Sequence, residues 1–284
     1  MKLTTVSLLS LGERFLKTRE ISSPRFCSEE LLRHVLKKDS RFDLYQDNHS
    51  CALKRNEIKT YFSLLRKRGV RFPLQYITEE VGFLDFTLRV CEGVFIPRPE
   101  TERLVIETVE RLRIRSPRSI LDIGTGTGNI AISIASYFPA VDIVAVDTSD
   151  EALALAAENA CRNGVYERIA FHTSDCFSDI EDGRTFDCII SNPPYIAYDD
   201  LSSLAEEVHA EPMSALSDGW DGLTFYRRII QEAESFLNPD GILAFEIGYN
   251  QAAAVCSLLQ ENNFKNSTVY KDYAQYDRVV IAER

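Results

Sequence analysis

The sequence predicts an α/β protein: a doubly wound, seven-stranded, mostly parallel sheet, with a small N-terminal helical domain and a β-hairpin linker ahead of it. Three observations carry this expectation. From residue 118 onward, apolar runs of strand length alternate with segments of helical period, the pattern of a parallel sheet with helices on both faces. Before residue 75, apolar residues recur at helical spacing. Between 76 and 97, in "YITEEVGFLDFTLRVCEGVFIP", residues of high β propensity alternate, and Gly82 and Gly93 mark turns. The expected domains are 1–75, helical; 76–97, hairpin; and 98–284, the sheet.

In the helical part, Leu31, Leu32, Val35 and Leu36 share one face, with Ser28-Glu29-Glu30 as the expected start. Ile58, Tyr61, Phe62 and Leu65 form a second face, closed by Gly69 and Pro73. The cluster Arg66, Lys67, Arg68 and Arg71 has two readings, a solvated helix end or a docking patch for a partner. The opening "MKLTTVSLLSLGERF" mimics a secretion signal, but its apolar part is short and no small-residue cleavage site follows.

After the hairpin, "PRPETERLVIETVERL" restarts a helix behind two prolines. The sheet then reads in order. "RSILDIG", "VDIVAVD", "RIAFHTS", "FDCIISN" and "GILAFEI" are strands. "NIAISIASYF", "SDEALALAAENACRN" and a segment near 222–237 are helices between them. "QAAAVCSLLQENN" is a further helix, and "STVYKD" and "DRVVIAE" are expected to close the sheet as an antiparallel pair. No internal repeat or low-complexity segment is present.

The 284 residues are 45% hydrophobic and 26% charged, enough for two domains with real cores. No apolar run approaches the roughly 20 residues of a membrane span. Net charge is −11, split as +6 over residues 1–90 and −17 over the remainder. An acidic body argues against direct nucleic-acid binding, which rests on neutralising phosphates. The seven cysteines (27, 51, 91, 161, 176, 188 and 256) contain no C-x-x-C and read as reduced thiols of a cytoplasmic protein. The four histidines (34, 49, 172 and 209) are scattered, so no metal site is expected. Trp220, in "SDGWDG", is expected to pack a turn.

In such a sheet, ligands lie beyond the carboxyl ends of the strands. Gly124-Thr125-Gly126-Thr127-Gly128 follows the first strand, and its glycines allow a tight turn and close approach of a ligand to the main chain. Asp147 ends the second strand, where a carboxylate can accept both hydroxyls of a ribose. Its competing role is a helix cap, which Ser149 can already fill. Asp175 closes the third strand, placed to meet an adenine amino group or to sit in a turn.

The fourth strand ends in Ser191-Asn192-Pro193-Pro194-Tyr195-Ile196. The prolines have no N–H, and Asn192 before Pro193 is driven to an extended backbone. The Asn192 side-chain oxygen and the Pro193 carbonyl can then accept the two hydrogens of an –NH2 group, with the Tyr195 ring packed on its plane. An amide nitrogen is a poor nucleophile, and two acceptors on its hydrogens draw charge onto it.

"DIGTGTG", "AVD" and "SNPPYI", in that order, resemble a class I S-adenosylmethionine-dependent methyltransferase. With "PLQYI", "FIPRPETE", "EP-x-x-AL", "DGLTFYRRI", "EIGYNQ" and "DRVV", the chain resembles the bacterial release factor glutamine N5-methyltransferases over about residues 70–280. The resemblance implies S-adenosyl-L-methionine as cofactor, held by Gly124, Thr125, Gly126, Thr127, Gly128, Asp147, Asp175, Cys176 and Asn192. It implies Asn192, Pro193 and Tyr195 as catalytic, with Pro194 joining them around the glutamine of the Gly-Gly-Gln motif of class I peptide chain release factors. The loop Phe95 to Glu102 is expected to border the methionine part. The family usually carries a glycine after "QYI", where this chain has Thr78-Glu79-Glu80, and a bulky apolar residue where it has Cys176. The same acceptor pair also suits a ribosomal-protein glutamine or an adenine N6 amino group.

Overall fold

The computed structural model describes residues 4–46 and 53–284, so Cys51 and His49 lie outside the described residues. The chain forms two compact units, one of residues 1–80 with 205–210, the other of 81–204 with 211–284.

The first unit contains α1 (Thr5–Lys17), α2 (Pro24–Leu36), α3 (Asp43–Gln46), α4 (Arg55–Gly69) and α5 (Leu74–Thr78). Its core gathers Leu8, Leu9 and Leu16 from α1, Leu31 and Leu32 from α2, Leu65 from α4, and Leu74 and Ile77 from α5. From Thr5 on, the stretch that mimics a secretion signal is helix α1, and its Leu8 and Leu9 belong to this core. Three details differ from the sequence expectation. The α2 helix begins at Pro24, because proline suits a first helical turn, and Ser28 is buried inside it. Residues 76–78 are helical, since Ile77 packs into this core. Arg68 is neither solvated nor free to dock. It is buried, pairs with Glu207 at 2.5 Å and donates to the Phe72 carbonyl at 3.1 Å, while Arg71 pairs with Glu206 at 3.1 Å. Only Arg66 and Lys67 of the cluster stay exposed.

The second unit opens with the hairpin β1 (Glu80–Phe83) and β2 (Phe86–Arg89). Gly82 lies within β1, and the turn falls on Leu84, whose φ is +49° and whose N–H donates to Glu102 at 2.9 Å. After α6 (Thr101–Arg113) come β3 (Ser119–Ile123), α7 (Asn129–Tyr137), β4 (Asp142–Asp147), α8 (Asp150–Arg162), β5 (Ile169–Thr173) and β6 (Phe186–Ser191). The short α9 (Met213–Leu216) and α10 (Thr224–Phe236) precede β7 (Leu237–Glu246), α11 (Ala252–Glu261), β8 (Lys265–Lys271) and β9 (Asp277–Glu283). The seven-stranded order is β5-β4-β3-β6-β7-β9-β8, with β9 antiparallel to both neighbours and the other pairings parallel. Apolar clusters cover both faces, which is why the central strands read as unbroken apolar runs. Trp220 does not pack its turn: it is 77% exposed.

Helices α1, α2 and α4 meet at Gly12. Ser28 Oγ donates to the Leu9 carbonyl at 3.0 Å and lies 2.7 Å from the Tyr61 hydroxyl, which donates to the Leu8 carbonyl at 3.3 Å. A methyl on Gly12 would collide with both side chains. Alanine would gain about 1 kcal/mol of helix propensity, but overpacking costs about 1–3 kcal/mol. Gly12→Ala is therefore expected to lower the melting temperature of the helical unit, read by calorimetry, and an unchanged or higher value would contradict this packing.

Candidate active site

Strands β3, β4, β5 and β6 all deliver their carboxyl ends to one edge, and the order changes direction between β3 and β6. A cavity of about 390 Å³ opens there, within the second unit. It is lined by Gly124 to Thr127, Asp147, Asp175, Cys176 and Asn192 to Tyr195, with Phe95 on one rim. Gly128 lies outside the lining, as do residues 96–102 of the loop expected at the methionine part. The Gly128 φ of +80° starts α7, and a Cβ there would stand 3.1 Å from Ala156, so this glycine serves helix packing.

The glycine turn is fixed from behind. Gly124 and Thr125 both donate to the Val146 carbonyl, at 2.8 and 2.9 Å. Asp147 accepts from the Gly126 N–H at 2.9 Å and the Ser149 N–H at 3.0 Å. Ser149 itself caps α8, accepting from Ala152, so Asp147 is not spent as the cap. Each of its oxygens keeps a second lone pair for a ligand. Gly124 and Gly126 have φ of +74° and +54°, and a Cβ on either would meet nothing within 4 Å. Asp175 is ion-paired to Arg228 of α10 at 2.9 Å, and Cys176, buried with φ of +55°, has its thiol pushed up to about 11 by burial.

At the other end, Asn192 Nδ2 donates to Thr101 Oγ1 at 3.2 Å, so Oδ1 is the amide atom left for a ligand. The Tyr195 hydroxyl donates to Glu246 Oε1 at 3.2 Å. The Tyr195 carbonyl accepts from Gln251 Nε2 at 2.9 Å, and Gly222 sits against it so tightly that a Cβ would overlap it. The 95–102 loop is pinned as well. Glu211 accepts from the Ile96 N–H at 3.1 Å and pairs with Arg98, whose guanidinium also lies 4.9 Å over the Phe95 ring.

Several residues that build the candidate site had no individual role in the sequence analysis, although Asp122, Thr101 and Glu246 stand in the quoted motifs. Asn159, in α8, donates to the carbonyls of Arg89 and Thr127, both at 3.0 Å, and ties the hairpin to the glycine turn. Its signal was an amide among the apolar positions of a helix. Glu246 and Asp122 are buried carboxyls in apolar strands, each pushed up to about 7 chiefly by burial. Thr125 donates to Asp122 at 2.7 Å. Thr101 stands in "FIPRPETE", within the loop expected at the methionine part, and its own partner was not legible there.

A family model described as "Methyltransferase small domain" matches residues 100–221, and one described as "PrmC N-terminal domain" matches 7–78. A solved ribosomal protein L11 methylase from Lactobacillus delbrueckii subsp. bulgaricus is 26% identical, with a TM-score of 0.51 over 69% of this chain and 85% of that one. The T. thermophilus 16S rRNA N2 G1207 methyltransferase, 19% identical, shares the fold with a TM-score of 0.52 over 72% of this chain and 49% of its own. Fold and site thus define a methyltransferase. Proteins named release factor glutamine methyltransferase are similar over nearly the whole length. The one from Geobacter sulfurreducens is 39% identical over 98% of this chain and 95% of its own. That from Clostridium acetobutylicum is 37% identical over 90% of each, and that from Vibrio cholerae 35% over 100% and 98%. The chain belongs to the release factor glutamine methyltransferase family.

The two buried carboxyls give a pH signature. In the folded chain each keeps its proton up to about 7, against ordinary values of 3.8 and 4.5. The unfolded chain binds fewer protons in that window, so their contribution to stability falls as pH rises through it. The carboxyls held low, such as Asp187 and Asp221, act below it. Asp122→Asn is expected to flatten the dependence of stability on pH between about 5 and 7, measured by urea unfolding. An unchanged slope would mean Asp122 is ionised in the fold.

Proposed function

We propose that this chain transfers a methyl group from S-adenosyl-L-methionine to the side-chain amide nitrogen, N5, of the glutamine in the Gly-Gly-Gln motif of class I peptide chain release factors. The observation that carries the proposal is the held amide of Asn192: Thr101 takes its Nδ2, which leaves Oδ1 as an acceptor beside the two prolines and Tyr195. Such a substrate implies a cytoplasmic protein.

The glycine turn fits the cofactor, because side chains at Gly124 and Gly126 would fill open space. Asp147 would accept the ribose hydroxyls, Asp175 and Cys176 would border the adenine, and the loop around Phe95 would border the methionine part. When bound, this group supplies an electrophilic sulfonium methyl. The residues of the chain position the attacking nitrogen. Asn192 Oδ1 and the Pro193 carbonyl accept the two amide hydrogens and draw electron density onto nitrogen, while Pro194 and Tyr195 sandwich the amide plane. The proton leaves the product nitrogen after transfer, so no strong base is required.

Incubation of the protein with S-adenosyl-L-methionine and a release factor is expected to add one methyl to the Gly-Gly-Gln peptide, seen by mass spectrometry. Asn192→Ala should cut kcat by about 100- to 1,000-fold, the cost of losing one such dipole. A methyl found only on a ribosomal protein or on DNA adenine would overturn the substrate assignment.

The helical unit is proposed as the docking surface for the protein substrate, through the exposed Arg66 and Lys67. The contrast between the basic residues 1–90 and the acidic remainder motivates this. Reversing both charges should raise KM for an intact release factor several-fold, and leave KM for a short Gly-Gly-Gln peptide unchanged. Equal KM for the intact protein would exclude the patch.

A further inference from the structure

The acceptor segment is a difficult piece of chain to hold. Pro193 and Pro194 offer no N–H, so no ladder of donors can fix them. Their rings lock φ, which leaves few soft torsions between Asn192 and Tyr195. Whatever holds the two ends therefore sets the direction of the Pro193 carbonyl. Thr101 holds the first end through Asn192 Nδ2, at 3.2 Å. The second end is held by Gln251, the last residue of "EIGYNQ".

Gln251 stands at the start of α11, and its side-chain amide meets three turns at once. Nε2 donates to the Tyr195 carbonyl at 2.9 Å and to the Gly222 carbonyl at 3.1 Å, while Oε1 accepts from the Gly248 N–H at 2.9 Å. Both amide hydrogens are used. Two carbonyls on one side and an N–H on the other admit a single orientation of the amide. The surroundings are cut to fit it. A Cβ on Gly222, whose φ is +76°, would overlap the Tyr195 carbonyl oxygen and stand 2.9 Å from Nε2, and a Cβ on Gly248 would stand 2.9 Å from Oε1. The chain beyond Tyr195 continues along the same partner. The Ile196 N–H donates to the Leu216 carbonyl at 3.0 Å, and the Tyr198 N–H to the Trp220 carbonyl at 2.8 Å.

We infer that Gln251 is a positioning residue for the methyl transfer: its side-chain amide fixes the Tyr195 carbonyl and, through the two prolines, aims the Pro193 carbonyl at the acceptor nitrogen. The inference rests on the function proposed above. Gln251 lies outside the cavity lining, so it acts only through the segment it holds. A misplacement of about 1 Å in a reacting group costs on the order of 100-fold in rate. The glycine turn and Asp147 leave other strands, β3 and β4, so cofactor binding does not depend on this clasp.

The test uses the full chain with S-adenosyl-L-methionine and a Gly-Gly-Gln peptide, and compares Gln251→Leu with Gln251→Glu. Gln251→Leu removes both donors and is expected to lower kcat about 10- to 100-fold, with cofactor affinity by calorimetry within about twofold. Gln251→Glu keeps the shape. Ionised, it sets lone pairs against two carbonyls and should be as slow as Gln251→Leu. Protonated, it has one O–H to give to the Tyr195 carbonyl. Its kcat, taken as a ratio to the native chain at each pH, should therefore recover as pH falls, which lost packing alone would not do. Amide hydrogen exchange gives a readout free of turnover. The Ile196 N–H should exchange at least about tenfold faster in Gln251→Leu, while Ile189 and Ile190 of β6 keep their native rates. A native kcat or unchanged Ile196 exchange in Gln251→Leu, or a Gln251→Glu ratio flat with pH, would overturn the inference. Should Gln251→Leu unfold, seen as fast exchange throughout β6, the Gln251→Glu ratio decides alone. Should the native chain leave the peptide unmethylated while Ile196 is loosened in Gln251→Leu, the substrate assignment fails and the clasp stands. Should the native chain methylate the peptide and Gln251→Leu match it in rate and exchange, the substrate assignment stands and the clasp fails.

Discussion

Parallel strands that finish on a common edge must send their chains back over one face or the other, and where two neighbours choose opposite faces the edge is left open. Here that parting lies between β3 and β6. Three parts of the candidate site flank it. The glycine turn leaves β3, Asp147 ends β4 beside it, and the Asn-Pro-Pro-Tyr segment leaves β6 on the other side. The cavity is therefore a property of the sheet order before it is a property of any side chain. Residues far apart in sequence only need to sit at strand ends to meet.

The same geometry explains what could be read from the sequence. The strands were legible because a sheet covered on both faces writes its strands as apolar runs, and their polar terminators then stand out: Asp147 after "VDIVAV", Asn192 after "FDCIIS". The short elements were not legible. Helix α5 has five residues and owes its form to the packing of Leu74 and Ile77, which local pattern does not encode. Arg68 looked like one member of a solvated run because its partner, Glu207, lies more than a hundred residues away in sequence. Thr101 looked like any residue opening a helix. Glu246 and Asn159 did leave a trace, a polar side chain where the period demands an apolar one, and that trace marked the residues that orient the site.

These buried polar groups share a manner of working. Asn159 couples the hairpin to the glycine turn, Glu211 couples the 95–102 loop to the segment ahead of α9, and Glu246 couples β7 to the Asn-Pro-Pro-Tyr loop. Each is placed on, or held against, regular structure, and each fixes a loop that regular structure alone would leave free. Directional bonds in a dry environment do this better than apolar packing, because leaving either partner unpaired is costly. The loops around the cavity are thereby as well determined as the strands beneath them.

The ion pairs of Arg68 with Glu207 and of Arg71 with Glu206 give the helical unit a second, remote piece of chain. The unit is thus not a detachable N-terminal module. The polypeptide enters it at the start, leaves at residue 80, and returns for 205–210, shortly after the Asn-Pro-Pro-Tyr segment. A fragment ending at residue 80 would bury a guanidinium without its counter-charge, and such orphaned charges cost about 3–5 kcal/mol. Exchange of this unit between relatives by simple recombination would break the same pairs. The helical unit and the 205–210 segment, although far apart in sequence, are obliged to vary together.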